Sequence, residues 1–332
     1  MAVDPRVSKV QVSLSDTDRH VLIARVDGTL TADYRPMTRG SVSVTAEEDG
    51  RRESGSHNCA ARADLAYFDP ARQERLVQKS VERALRALTA APAPTGEMPV
   101  VMAAGESGIL LHEAIGHGME ADFNRKGISI YEDKLGKRIA PPSVTICDDA
   151  TLPNARGSIN VDDEGSPTEN TVLVEEGILR SYIHDRISAR HYGVQPTGSG
   201  RRESFRHPVL PRMRSTYMQS GTHTAEEIIA NVDRGIYCET FANGAVQIGA
   251  GDFSFYVRLG YLIENGKLTR PIKDVNLIGN GPKVLESIEM VGDDLTIDEG
   301  GWTCGKEGQG VPVSQGMPTV LVSNLSVGGQ QT

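Results

Sequence analysis

The run His112-Glu113-Ala114-Ile115-Gly116-His117 constrains this chain more tightly than any other. It lies in an apolar, helix-like stretch with Leu110, Leu111, Ala114 and Ile115. In a regular helix, residues i and i+4 lie about 40° apart around the axis, and residues i and i+5 about 140° apart. Two imidazoles separated by about 140° do not converge on one metal ion. If His112 and His117 act together, the helix must widen into a π-type turn, or stop near Gly116 so that His117 swings back. Gly116 and Gly118 flank His117 and make either distortion cheap. The plainer alternative is two packed or surface histidines beside a solvated glutamate.

A catalytic zinc site needs a third protein donor and an open fourth position. Glu120 and Asp122 follow the motif closely. Cys147 sits in the apolar run Val144-Thr145-Ile146-Cys147 and reads as core. Cys304 sits in a glycine-rich loop, Gly300-Gly301-Trp302-Thr303-Cys304-Gly305-Lys306, and is the better thiolate candidate. Cys59 and Cys238 read as space-filling. The four cysteines are too widely spaced for a CxxC motif and do not read as a disulfide framework.

At 332 residues the chain is long enough for about two domains. The division is expected at Ala90–Gly96, giving an N-terminal α/β region over 1–92 and a larger unit over 93–332. Asp69 before Pro70 starts a helix with Leu76, Val77, Val81, Leu85 and Leu88 on one face. Val10-Gln11-Val12-Ser13-Leu14 and Val42-Ser43-Val44 alternate as half-buried strands. Ser107 is expected to cap the motif helix, and Thr224 with Glu227 forms a capping box. Glu176-Gly177 and Asn265-Gly266 mark hairpins. Gly279–Lys283 and Gly305–Gly310 match no phosphate-loop pattern and read as turns. Glycine-punctuated strands toward the C-terminus predict a curved or closed antiparallel sheet. The fold class is therefore α+β: a small strand and helix region, then a large, mostly antiparallel β unit with the motif helix at its start.

The net charge of −9 argues against a nucleic-acid binder. No apolar run approaches the roughly 18 residues that span a bilayer, and the first residues lack a signal-peptide core, so a cytoplasmic location is expected. Arg201, Arg202, Arg206, Arg212 and Arg214 are either a solvated loop or a carboxylate-gripping one, because guanidinium forks bind carboxylates in bidentate fashion.

The stretch Leu110 to Asp122 resembles the signature of the TldD/PmbA family of metallopeptidases, specifically its TldD-like half. The likeness extends through Gly200–Ser204, Pro211–Met213, Gly251–Phe255, Gly260–Glu264, Leu277–Pro282 and Thr303–Gly310, covering about residues 95 to 330. It implies a zinc-dependent peptidase in which His112, His117 and Cys304 hold the metal and Glu113 is the catalytic base. It also implies a PmbA-like partner in a heterodimer, with a homodimer as the alternative, and an unstructured peptide or small flexible protein as substrate. Family members usually carry a longer region before the motif. Only 111 residues precede His112 here, so the resemblance implies a shortened N-terminal region.

In this reading the three donors hold zinc, Glu113 takes a proton from water and returns it to the leaving amine, and Arg201 or Arg202 grips the peptide. Two rivals stand beside it. One is a non-catalytic peptide-binding or scaffold subunit, which would have no use for Glu113. The other is a zinc hydrolase of non-peptide amides, which the sequence does not separate from a peptidase.

Overall fold

The computed structural model describes residues 4–328. Near the N-terminus, strands Val7–Thr17, Met37–Glu48 and Arg51–Ala61 form an antiparallel sheet with Met37–Glu48 in the middle. The helix Pro70–Thr89 crosses it. Asp69 accepts from the Arg72 backbone N–H at 2.8 Å, and Pro70 occupies the first turn, where a missing N–H costs nothing. Leu76, Val81, Ala84 and Leu88 pack against Val42, Val44, Ala46 and Cys59 in a core of their own. Burial of each larger side chain contributes roughly 1.5–3 kcal/mol.

The helix lies almost on the sheet backbone. A Cβ at Gly55 would sit 2.2 Å from the Ala84 nitrogen and 2.5 Å from the Ser80 carbonyl oxygen. The outer strand does not share this cover. Val10, Val12 and Leu14 pair with Val44, Val42 and Gly40 and so lie on the same face as the helix, yet Val12 is 73% exposed. Alternation placed them on the apolar face, but one helix covers only the two neighbouring strands.

Beyond Ala90 the chain builds two further sheets. In the first, strands Val320–Gly328, Gly96–Met102, Arg234–Gln247, Asp252–Glu264 and Lys267–Asn280 are neighbours in that order. The last pairs back to the first through Asn276–Ile278 and Ser326–Gly328, closing a five-stranded ring. Only the Gly96–Met102 and Arg234–Gln247 pair in this ring is parallel. Register shifts between Cys238 and Asn243 bend the long strands, as closure requires. Asn265 and Gly266 turn one hairpin with φ of 53° and 69°, as the sequence predicts. The second sheet orders its strands Ile178–Leu179, Asn170–Glu175, Ile146–Asp149, Ser215–Met218, Ser314–Met317 and Thr296–Ile297. Glu176 and Gly177, with φ of 47° and 78°, make its predicted hairpin turn. The capping box at Thr224 forms as expected. Gly281 instead opens a short helix, Gly281–Glu286, where a turn was expected.

The segment Ile109–Met119 is wedged between these sheets, against strand Arg234–Gln247 on one side and strands Ser215–Met218 and Ser314–Met317 on the other. Leu110, Leu111, Ile115 and Met119 are at most 1% exposed. Ion pairs Arg83–Glu106 and Arg86–Glu239 tie the first helix to this part of the molecule.

Gly55→Ala should lower stability by about 1–3 kcal/mol, because the obstructing atoms are backbone and cannot rotate away. Urea unfolding checks this. A midpoint equal to that of the parent would contradict the close approach.

Candidate metal centre

The motif helix changes pitch where the histidine spacing demands it. Ile109–Leu111 is α-helical, His112–Gly116 forms a π-helical turn, and His117–Met119 tightens to a 3-10 turn. The His117 N–H reaches the His112 carbonyl, a five-residue span that brings the two side chains over one another. The imidazole centroids lie 5.1 Å apart with planes at 83°.

The flanking glycines serve packing rather than backbone freedom. Gly116 has an ordinary helical φ of −56°. A Cβ there would fall 1.9 Å from the Met213 sulfur, and one at Gly118 would fall 2.6 Å from the Tyr131 ring. Ser107 does not cap the helix as expected. Its hydroxyl bonds back to the Ala103 carbonyl.

Cys304 arrives from the far end of the chain. It lies in strand Thr303–Lys306, which pairs with Gln309–Pro312 around a turn at Glu307 and Gly308. The cysteine is thus in a two-stranded ribbon and 3% exposed, where an exposed loop was expected, because alternate ribbon residues Cys304 and Lys306 face inward. One donor atom from each of His112, His117 and Cys304 lies within 4.8 Å of the other two. His117 Nε2 lies 3.5 Å from Cys304 Sγ. His112 and His117 are 2% and 7% exposed.

Behind these groups stands a buried charge network that the sequence pattern does not announce. Glu120 Oε2 accepts from His117 Nδ1 at 3.0 Å. A carboxylate can only accept, so Nδ1 carries the proton and a neutral His117 keeps its lone pair on Nε2, facing the sulfur. Lys306 Nζ donates to Glu120 Oε2 at 3.1 Å, to Asp122 Oδ1 at 2.7 Å and to the Pro211 carbonyl at 3.1 Å. Arg212 Nη2 donates to the Cys304 carbonyl at 2.6 Å. Glu120 and Asp122, weighed as metal donors from the sequence, therefore face Lys306 instead. The recoverable signal was the two-residue spacing of Cys304 and Lys306, which puts them on one face of a strand.

The electrostatics follow from this arrangement. Burial raises the Glu120 carboxyl, but Lys306 and His117 overcome it and hold the group at about 2. Burial also opposes charge on Cys304 and His117. Even so, His112 and His117 draw the thiol well below its usual value, and Glu120 with Cys304 draws His117 well above its own. Thiolate and imidazole thus favour a positive charge between them. His112 Nδ1 is buried with no hydrogen-bond partner. The set of two imidazoles and a thiolate, all nitrogen and sulfur donors, fits a borderline-soft divalent ion such as zinc.

Glu113 is partly buried beside the cluster, and burial raises its carboxyl above the usual range. Strand Arg234–Gln247 backs it closely: a Cβ at Gly244 would lie 3.2 Å from Glu113 Cγ. Arg201 and Arg202 stand apart from the cluster, and both line a separate cavity. Cys59, Cys147 and Cys238 are buried free thiols outside the cluster.

Residues 1–88 match the model of the PmbA/TldA metallopeptidase central domain, and residues 95–329 match that of the C-terminal domain. The chain is 46% identical to a protein of Haemophilus influenzae named Metalloprotease TldD homolog, over 99% of this chain and 69% of the relative. It is 34% identical to a protein of Methanothermobacter thermautotrophicus named Metalloprotease, over 99% of this chain and 71% of that one. A crystal structure from Thermotoga maritima, described as a modulator of DNA gyrase, superposes with a TM-score of 0.82 at 26% identity, covering 98% of this chain and 71% of that one. TldE from Thermococcus kodakarensis shares the fold with a TM-score of 0.74 at 20% identity, over 96% and 69% of the two chains.

Lys306→Met should destabilise the metal-free protein by about 3–5 kcal/mol, since it strands two buried carboxylates. Denaturant unfolding in excess chelator measures this. A loss below about 1 kcal/mol would show that the network carries little.

Proposed function

Since the chain belongs to the PmbA/TldD metallopeptidase family, we propose that it is a zinc-dependent peptidase acting on unstructured peptides or small flexible proteins. The reading is carried by the mutual approach of His112, His117 and Cys304, three side chains of metal-ligating type brought within 4.8 Å of one another although His117 and Cys304 are 187 residues apart. These residues would hold the zinc, and Glu113 would be the base. Zinc, when bound, supplies Lewis acidity that makes a water proton easier to remove and a carbonyl more electrophilic.

The remaining work falls to this chain's own groups. Glu113 accepts the water proton on its carboxylate and delivers it to the departing amine nitrogen. Its raised affinity for protons, caused by burial, suits both halves of that transfer. Glu120 fixes the His117 ring, and Lys306 neutralises Glu120 without competing for the ring nitrogen. A purely binding subunit would have no use for a buried carboxylate of this kind beside the cluster.

We place the division of labour at residues 1–92 and 93–332, with the second part carrying the chemistry. The partner would be a PmbA-like chain or a second copy of this one, and the location cytoplasmic. No helix among the described residues is long and apolar enough to cross a membrane.

Protein purified without chelators should contain close to one zinc per chain by elemental analysis. It should cleave an unstructured peptide in a chelator-sensitive manner. Cleavage by metal-free protein would end the proposal. Glu113→Gln should keep its zinc and lose cleavage by at least about 100-fold, as expected for removal of a general base. Undiminished activity in that variant would remove Glu113 from its role.

A further inference from the structure

The arginine-rich segment has an unspent part. Arg214 is paired internally, with Nε 2.7 Å from Asp148 Oδ2, and Arg212 supports the Cys304 carbonyl. Arg201 is different. It is 4% exposed, and its Nη1 and Nη2 donate to the carbonyls of Met213 at 2.5 Å and Pro312 at 2.6 Å, neither of which neutralises its charge. Arg156, half-buried, donates to the Trp302 carbonyl and lies 3.4 Å from the Thr303 hydroxyl. The two guanidinium groups therefore flank the Thr303–Pro312 pair at the base of the ribbon that carries Cys304.

Both line a cavity of about 240 Å³, together with Arg19, Arg35 and Arg202. Asp163 and Glu203 are the acids on its wall, so lining charge runs five to two in favour of cations. Asp163 is already paired with Arg35 at 2.8 Å, and Glu203 Oε2 accepts from the Gly310 N–H at 2.7 Å. Among the described residues, neither Arg156 nor Arg201 has a carboxylate within 4.0 Å. Buried cations are normally paired. Loss of solvation pushes Arg201 down to about 9 and Arg156 down to about 10, and Arg212 and Arg39 add repulsion, which the more distant Asp163 and Asp148 offset only in part at Arg201. An anion in the cavity would relieve both.

We propose that this cavity binds the C-terminal carboxylate of an extended peptide. Planar guanidinium forks match a carboxylate. The space suits a chain terminus and not a folded partner. Thr303, Gly310, Val311 and Pro312 of the ribbon line the cavity, and His112, His117 and Cys304 do not, so a carboxylate held there would not compete for the donor atoms. The choice of a peptide as ligand rests on the peptidase reading; the surplus of cations does not.

The test is fluorescence anisotropy on the full chain carrying Glu113→Gln, which should bind without cutting. Three labelled flexible decapeptides are compared: one with a free C-terminus, its C-terminal amide, and an amide ending in glutamate. Amidation should weaken binding about tenfold or more, and the glutamate amide should stay weak. In Arg156→Met, and separately in the rim variant Arg202→Met, the gap between acid and amide should shrink below about threefold. Equal binding of acid and amide, no binding of either, acid-like binding of the glutamate amide, or an undiminished gap in both variants would overturn the proposal. Zinc content and cleavage by the parent protein are read separately. A metal-free, inactive protein that still prefers the acid would sink the peptidase reading and leave the anion site standing.

Discussion

The site depends on one backbone irregularity. Histidines five residues apart cannot share a partner from a regular helix, and the π-helical turn at His112–Gly116 removes that obstacle. The widened turn is held from outside. Met213 fills the space a side chain at Gly116 would need, Tyr131 does the same at Gly118, and Tyr131 also donates to the Ala114 carbonyl at 3.3 Å. The strain of the wider turn is thus offset by packing between two sheets, in keeping with the enrichment of such turns at functional positions.

The second requirement is that a ribbon near the C-terminus reach the same point. Lys306 does this by electrostatics. It sits two residues from Cys304 on the same strand face and clasps Glu120, which in turn orients His117. A single lysine therefore connects the sulfur-bearing ribbon to the histidine-bearing helix. The arrangement is buried, so its charges interact strongly but tolerate no missing member.

Much of this was legible in the sequence, and the reasons differ by residue. The π-type turn was one of two outcomes forced by the His112–His117 spacing. The hairpins at Glu176-Gly177 and Asn265-Gly266 followed from turn chemistry, because both central residues need positive φ. The helix at Pro70 followed from its cap. Other features depended on three-dimensional neighbours. Val10, Val12 and Leu14 alternate correctly yet stay exposed, because cover comes from a helix too narrow to reach them. Cys304 sits in glycine-rich sequence that suggests a loop, but ribbon alternation buries it. The Glu120–Lys306 contact joins residues 186 positions apart, and its one local mark is the two-residue spacing that puts Lys306 on the same strand face as Cys304. Gly116 was read as a source of backbone freedom, whereas its role is set by a methionine nearly a hundred residues away.

The most direct test is X-ray absorption at the zinc edge of the protein as isolated. Two imidazole nitrogens at about 2.0–2.1 Å and one sulfur at about 2.3 Å are predicted, the sulfur contribution vanishing in Cys304→Ser. A zinc shell without sulfur, or a spectrum unchanged by that substitution, would contradict the account.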